Sequence, residues 1–360
     1  MSHNSLLVPC PDIQDSLDTY YNTCSSSRLR EPTPFFDFLN SDINNFGLSQ
    51  RVAPGNGKVK NIQLIYRQRL LESEVVTRSS CNNVCTATTE RGDLATECTI
   101  DPCEGIYAEE IMDIRQWADV CRNNGTIFTE VFQSLIDVVM RKLATDITTE
   151  ASTLIGNWNS NVEHLIGDCL HVPIYSTDGN AVSPYTMETI DLALMQTGYC
   201  STPVMFSGTS LYSYFRRALA GCCTTQGIDL TRIMELYGKA VMYDKRVATA
   251  AGGNEFAWVL QPGSLALVHY NQYEGTGNAP NVSGQPSAGN YWSGVINDPK
   301  TGFPLDLLIS DNCGKISMVV EANAKLCSLP NDLFNAADEN AGVNFFNCIV
   351  ADMCEESPCT

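Results

Sequence analysis

Sixteen cysteines and four histidines are the residues of this chain best suited to chemistry, and their spacing limits what that chemistry is. Cys81 and Cys85 are separated by three residues, and Cys98 and Cys103 by four. Two such pairs can make a four-thiolate zinc site, since structural sites accept spacers of about two to four residues, but together they form no recognised zinc signature. Buried thiols also pack as small hydrophobes. A third outcome is late oxidation: Cys10, Cys24, Cys354 and Cys359 lie near the ends of the chain, where cross-links could join subunits. The adjacent Cys222 and Cys223 read as packing residues. His3, His164, His171 and His269 have no partner at a metal-ligand spacing such as H-E-x-x-H. His269, within LALVHYNQY, reads as a packed or edge residue of a strand.

The motifs of catalysis are equally incomplete. FSGTSLY around Ser210 lacks the second glycine of a nucleophile elbow, so Ser207 or Thr209 reads as the cap of a helix over Leu211–Gly221. APGNGKVK, from Ala53 to Lys60, lacks the spacing of a phosphate loop, and Lys58 begins a strand. TAAGGN around Gly252 and Gly253 reads as a hairpin turn. Glu109 and Glu110 lie at an expected helix start, where carboxylates complement the helix dipole. The residues therefore point to no catalytic or cofactor-binding set and to no resident metal beyond the thiolate option.

The elements that would position these residues are more distinctive. Phe128, Phe132, Leu135, Val139, Leu143, Ile147, Ala151 and Leu154 recur at steps of three and four, which predicts one helix from Gly125 to about Ile155. Asn123 or Asn124 can cap its start, and Gly156 with Asn157 can end it. Residues 1–56 are rich in Pro, Ser, Asn and Asp and read as an arm with few internal contacts, with helical hints at Ile13–Tyr21 and Pro34–Leu39. From Lys58 to Leu70 apolar and polar residues alternate, and a second extended run covers Leu94–Ile106, so the two read as a long β-ribbon with Cys81 and Cys85 near its tip. Tyr107–Cys121 reads as a short helix, as do Ser183–Thr197 and Leu230–Tyr237. Strands are expected at Cys169–Tyr175, Pro203–Phe206, Ala240–Tyr243, Phe256–Leu260 and Ala266–Tyr270, and a loop over Asn271–Tyr291. An alternating hairpin follows, with Leu305, Leu307 and Ile309 before a turn at Asp311–Gly314 and Ile316, Met318 and Val320 after it. Phe334–Met353 fits either a strand or a helix.

The bulk composition agrees with a building part. The net charge of −19, from 41 acidic and 22 basic residues, disfavours nucleic-acid recognition and adhesion to anionic membranes. No apolar run is long enough to span a bilayer, and the N-terminus has neither a basic n-region nor an apolar h-region, so synthesis in a cytoplasm is expected. Charged residues are only 18%, which suits a chain whose surface is covered by copies of itself.

In its order of parts the chain resembles the major capsid proteins of tailed bacteriophages, of the Hong Kong 97-type fold. Two strings carry the resemblance most: EFAWVLQPGSLALVHYNQYEG (Glu255–Gly275), similar to the axial-domain strand pair, and DPKTGFPLDLLISDNC (Asp298–Cys313), similar to the return into the peripheral domain. The resemblance implies an α+β capsid fold: an N-terminal arm over 1–56, an extended loop over 57–106, a peripheral domain with the spine helix over 107–160, an axial domain over 161–294, and a return to the peripheral domain over 295–360. It also implies pentamers and hexamers closing into an icosahedral shell in the virion, around DNA packaged without sequence-specific binding. Scaffolding, portal and decoration proteins would be partners, and the chain would be made in the host cytoplasm. Arg67 and Arg69 would pair with acidic residues of a neighbour, and Cys81, Cys85, Cys98, Cys103, Cys354 and Cys359 would be candidates for disulfides within or between subunits. An encapsulin-like cellular compartment shares this fold; a tail protein and an enzyme are more distant alternatives.

Overall fold

The computed structural model describes residues 32–41, 49–52, 59–67, 93–113, 126–156, 170–173, 204–209, 212–213, 240–251, 256–260, 265–273, 291–312, 315–328 and 346–352. In chain order these form α1 (Pro34–Leu39), β1 (Ser49–Val52), β2 (Lys60–Arg67), β3 (Asp93–Ile100), a 3-10 turn at Pro102–Glu104, β4 (Ile106–Asp113) and α2 (Thr126–Gly156). Then come β5 (Leu170–Pro173), β6 (Val204–Ser207), β7 (Ala240–Tyr243), α3 (Lys245–Ala251), β8 (Phe256–Leu260), β9 (Leu265–His269) and β10 (Tyr291–Asn297). The chain continues through β11 (Pro304–Asn312), β12 (Lys315–Ala322), β13 (Ala324–Ser328) and β14 (Phe346–Asp352). The class is α+β. The expected helices at Ile13–Tyr21, Ser183–Thr197 and Leu230–Tyr237 lie outside the described residues.

The apolar period of the long helix becomes its buried face. α2 runs for 31 residues, about 46 Å at 1.5 Å per residue. Phe132, Leu135, Val139, Leu143, Ile147 and Ala151 are buried, and Ile136, Met140 and Ala144 widen the stripe. This face lies on a four-stranded antiparallel sheet ordered β10-β11-β12-β4. Leu305, Leu307 and Ile309 from β11 and Ile316, Met318 and Val320 from β12 point into that core, as their period of two requires. The β10–β11 hairpin turns at Asp298–Phe303, where the Asp298 carboxylate accepts from the Thr301 backbone N–H at 3.0 Å and from its hydroxyl, and Gly302 takes the positive φ of 70° that closes the turn.

Three sequence expectations fail here. Ile106–Asp113 is strand β4, not the start of a helix: it pairs along its whole length with β12, from Ala322↔Ile106 to Lys315↔Asp113. That pairing, with Met112 buried under α2, outweighs the helical spacing of Ile111, Ile114 and Trp117, of which the last two lie outside the described residues. α1 does not behave as part of an arm with few contacts. Phe35, Phe36, Phe38 and Leu39 are all buried in the main core, with the Phe35 ring edge-on to Phe206 at 5.1 Å and to Trp258 at 5.4 Å. The buried, 2% exposed Asp244 fixes this attachment: one carboxylate oxygen accepts from the Arg246 N–H at the start of α3, and the other from the Phe35 N–H in the first turn of α1. Thr249, Ala250 and Ala251 belong to α3 and not to a hairpin turn.

A five-stranded sheet, ordered β5-β14-β8-β6-β7, brings strands from 170–260 together with β14 near the C-terminus. Phe334–Met353 therefore contains a strand, parallel to β5 and antiparallel to β8. β8 and β9 do not form the strand pair that the resemblance implied: β8 lies in this sheet, whereas β9 pairs with β13 from Ala324↔His269 to Ser328↔Leu265. The β1-β2-β3 ribbon is a separate three-stranded sheet. Among the described residues no helix is long and apolar enough to cross a membrane.

Candidate functional site

The ribbon root and the surface it rests on form the most distinctive site of the chain. Across β2 and β3 the register sets Gln63 opposite Glu97 and Asn61 opposite Thr99, and these polar pairs hydrogen-bond on the exposed face. The intervening residues, Ile62, Leu64, Cys98 and Ile100, face inward onto Ala266 and Val268 of β9 and Cys327 of β13, as a small core apart from the main one. Lys60 adds its ammonium over the Tyr270 ring, 5.6 Å from the centroid. Cys98 and Cys327, only 8% and 5% exposed, are joined by a disulfide between Cα atoms 6.3 Å apart and 229 residues apart in sequence.

Beside this root, the ribbon strand β3 turns into the sheet strand β4 over a cleft of ≈ 260 Å³ lined by Asp101, Glu104, Asp146, Glu150, Asn323 and Lys325. Its polar groups hold elements in place. Asp101 caps the 3-10 turn by accepting from the Cys103 N–H at 2.9 Å. Glu150 reaches from α2 to accept the Leu326 N–H of β13 at 3.0 Å. Burial lifts the Glu150 carboxyl above its ordinary value of 4.5, against the lowering effects of that hydrogen bond and of Lys325. Burial also lifts Glu321, opposed by a hydrogen bond from the Asn323 amide and reinforced by Asp306. Asn323 is the single residue between β12 and β13; its carbonyl accepts from the Tyr270 N–H, and its side-chain oxygen lies buried against Gly105. A methyl group on Gly105 would stand 2.0 Å from that oxygen, so any side chain there would require the Asn323 and Glu321 side chains to shift. Among the described residues no group of three or more His, Cys, Asp or Glu is arranged to hold a metal ion.

The residues singled out from sequence are dispersed. Cys98 is the one of the cysteine candidates found in a disulfide among the described residues, and its partner, Cys327, was not among them. Cys103, four residues on from a Cys98 that points into the small core, is an exposed free thiol on the 3-10 turn. The two are thus not a ligand pair, which removes the Cys98–Cys103 half of the four-thiolate option. Arg67 ends β2 opposite Asp93. Cys81, Cys85, Cys354, Cys359 and Arg69 lie outside the described residues. A different surface feature went unread in the sequence: β4 is the edge strand of its sheet, and there Tyr107 and Ile111 are 67% and 61% exposed on one face. Alternation of Tyr107, Glu109 and Ile111 was the available signal.

No protein-family model matches the sequence, and no curated protein matches it. Among solved structures, the chain is similar to the capsid of the cyanophage P-SCSP1u, with 9% identity and a TM-score of 0.40 over 87% of this chain and 90% of that one. It is also similar to the capsid of Ralstonia phage GP4, with 10% identity and a TM-score of 0.38 over 90% and 92%. A virus-like particle from Pyrococcus furiosus superposes with 9% identity and a TM-score of 0.37 over 89% and 98%. These superpositions are loose, so the function of the chain is read from its own elements.

Proposed function

We propose that this chain is the major capsid protein of a tailed bacteriophage, a subunit that assembles into a closed icosahedral shell around packaged double-stranded DNA. The observation that carries the reading is the division of the subunit into one large core spanned by a 31-residue helix and a ribbon attached to it through a small separate core. The ribbon has only a small core on its own subunit, so contacts with other copies add to its buried area. Tyr107 and Ile111 on the edge strand offer an apolar patch for that contact. Arg67 and Arg69 of the ribbon pair with acidic residues of a neighbour, for which a net charge of −19 gives ample choice. The role is structural, not catalytic. Pentamers and hexamers form around an axial domain within 161–294, with α1 anchoring the N-terminal segment. The acidic surface keeps the shell from sticking to enclosed DNA, and scaffolding and portal proteins direct assembly.

Electron microscopy of the purified protein, with its mass from light scattering, tests this. Closed shells are expected, holding nucleic acid when taken from virions. Shells that hold protein cargo and never a genome would make it an encapsulin-like compartment. A discrete monomer or dimer of compact outline, with no projecting ribbon, would overturn the shell reading.

A further inference from the structure

We infer that Cys98 and Cys327 form a reversible redox latch that fixes the ribbon to its own subunit only in the oxidised protein. The ribbon shares no backbone pairing with any other sheet among the described residues, so apart from the chain that runs from β3 through Asp101–Gly105 into β4, its attachment there consists of side chains. Those contacts are few: Ile62, Leu64 and Ile100 against Ala266, Val268 and Tyr270, with Lys60 over the Tyr270 ring. Cys98 lies on the ribbon strand β3 and Cys327 on β13, so the bond between them crosses the joint itself. Their Cα separation of 6.3 Å falls within the range a disulfide needs, so docking brings the thiols to bonding distance without backbone movement.

Docking and oxidation are therefore linked. A reducing cytoplasm keeps the two as thiols, and beyond the chain link from β3 to β4 the ribbon is then held by the small apolar contact and by Lys60 over the Tyr270 ring. In an oxidising medium a small-molecule disulfide completes the latch. One cysteine, as thiolate, attacks that disulfide and releases one small thiol. The resulting mixed disulfide is attacked by the second cysteine thiolate, which forms the Cys98–Cys327 bond and releases the second small thiol. Two protein thiols are oxidised and one small disulfide is reduced to two thiols. With the chain as a shell subunit, which is the reading this consequence rests on, the ribbon is free to choose its contacts during assembly in the cell and is locked after release.

The test uses the full chain equilibrated in buffers of reduced and oxidised glutathione, quenched by alkylation and digested for mass spectrometry, with hydrogen exchange measured on the same samples. A peptide joining Cys98 to Cys327 is expected to rise with the oxidised fraction, and amides of Ile62–Leu64 to exchange about tenfold slower when it is present. Cys98→Ser and Cys327→Ser are expected to exchange at the reduced rate in every buffer. If either variant fails to fold, the wild-type comparison between buffers decides alone. Failure of the Cys98–Cys327 peptide to form, its persistence through full reduction, or equal exchange of the ribbon amides in both states would overturn the latch. Electron microscopy of the same samples keeps the two proposals apart: absence of shells in every buffer counts against the shell reading and leaves the linkage result standing.

Discussion

Asp244 holds two helix starts with one carboxylate, and its removal tests whether the N-terminal segment is truly part of the core. Its Oδ1 accepts from the Arg246 N–H at 2.9 Å and its Oδ2 from the Phe35 N–H at 3.1 Å, across 209 residues of sequence. In Asp244→Ala, α3 loses its cap, which costs about 1 kcal/mol. The Phe35 N–H is left buried with no acceptor in its place, which costs about 1–3 kcal/mol more. The expected loss is therefore about 2–4 kcal/mol. Asp244→Asn keeps a single acceptor oxygen, so it satisfies one N–H and sets an amide N–H₂ against the other, and should fall between wild type and alanine. The assay is urea unfolding of the dispersed subunit, followed by far-UV circular dichroism, with hydrogen exchange at Phe35 and Phe36 as a local readout. Faster exchange at those two amides is expected in both variants. A loss below about 0.5 kcal/mol in the alanine variant, the level of an ordinary surface change, would refute the reasoning, as would an asparagine variant no better than alanine.

Gly105→Ala should destabilise the subunit by about 1–3 kcal/mol, because the new methyl meets the Asn323 amide at the link between β12 and β13; thermal unfolding reads it, and an unchanged melting temperature would count against the close approach. The pair Tyr107→Thr and Ile111→Thr keeps β propensity and removes the apolar patch, so subunit stability should hold within about 0.5 kcal/mol while the concentration needed for assembly, read by light scattering, rises about tenfold. Glu150 and Glu321 have carboxyls raised by burial, so the folded state binds their protons more tightly than the unfolded chain does. Their contribution is then fully present below the ordinary carboxyl value and is lost as pH rises through the raised one. Glu150→Gln retains an acceptor for the Leu326 N–H and cannot ionise, so its stability should fall less over that rise than wild type does; equal slopes in urea titrations across the window would contradict it.

The parts that sequence made legible are those with a long uninterrupted period. α2 repeats its apolar step over 31 residues, and β11 and β12 keep their alternation while pairing from Asp306↔Glu321 to Asn312↔Lys315, with Asp311 and Asn312 in the strand. β4 was misread because Ile111, Ile114 and Trp117 also fit a helical step, and only the partner strand β12, some two hundred residues later, decides between periods. α1 was legible as a helix, with Pro34 at its first position, but not as a core element. Four apolar residues inside a polar stretch can dock on a core or stay exposed, and the pocket between Phe206, Trp258 and Phe303 that receives them is built from strands β6 and β8 and the β10–β11 turn. The ribbon site was half legible. Alternation gave β2 and an extended run containing β3, but the facing of Cys98 and a partner 229 residues away leave no local trace, since cysteine spacing does not encode connectivity.

The unequal size of the two cores has a consequence for any subunit that must rearrange. Burying Ile62, Leu64 and Ile100 contributes roughly 1.5–3 kcal/mol each before the entropy of ordering the ribbon is subtracted. That net is small enough for contacts of similar size on a neighbouring copy to compete with it. The main core, by contrast, ties α1, α2, α3 and three sheets together and has no comparable exchange partner. A covalent bond across the ribbon joint therefore changes the strength of that attachment more, in proportion, than the same bond would within the main core. Cys98 and Cys327 lie at that joint, and reduction would return the choice to the few apolar side chains beneath the ribbon.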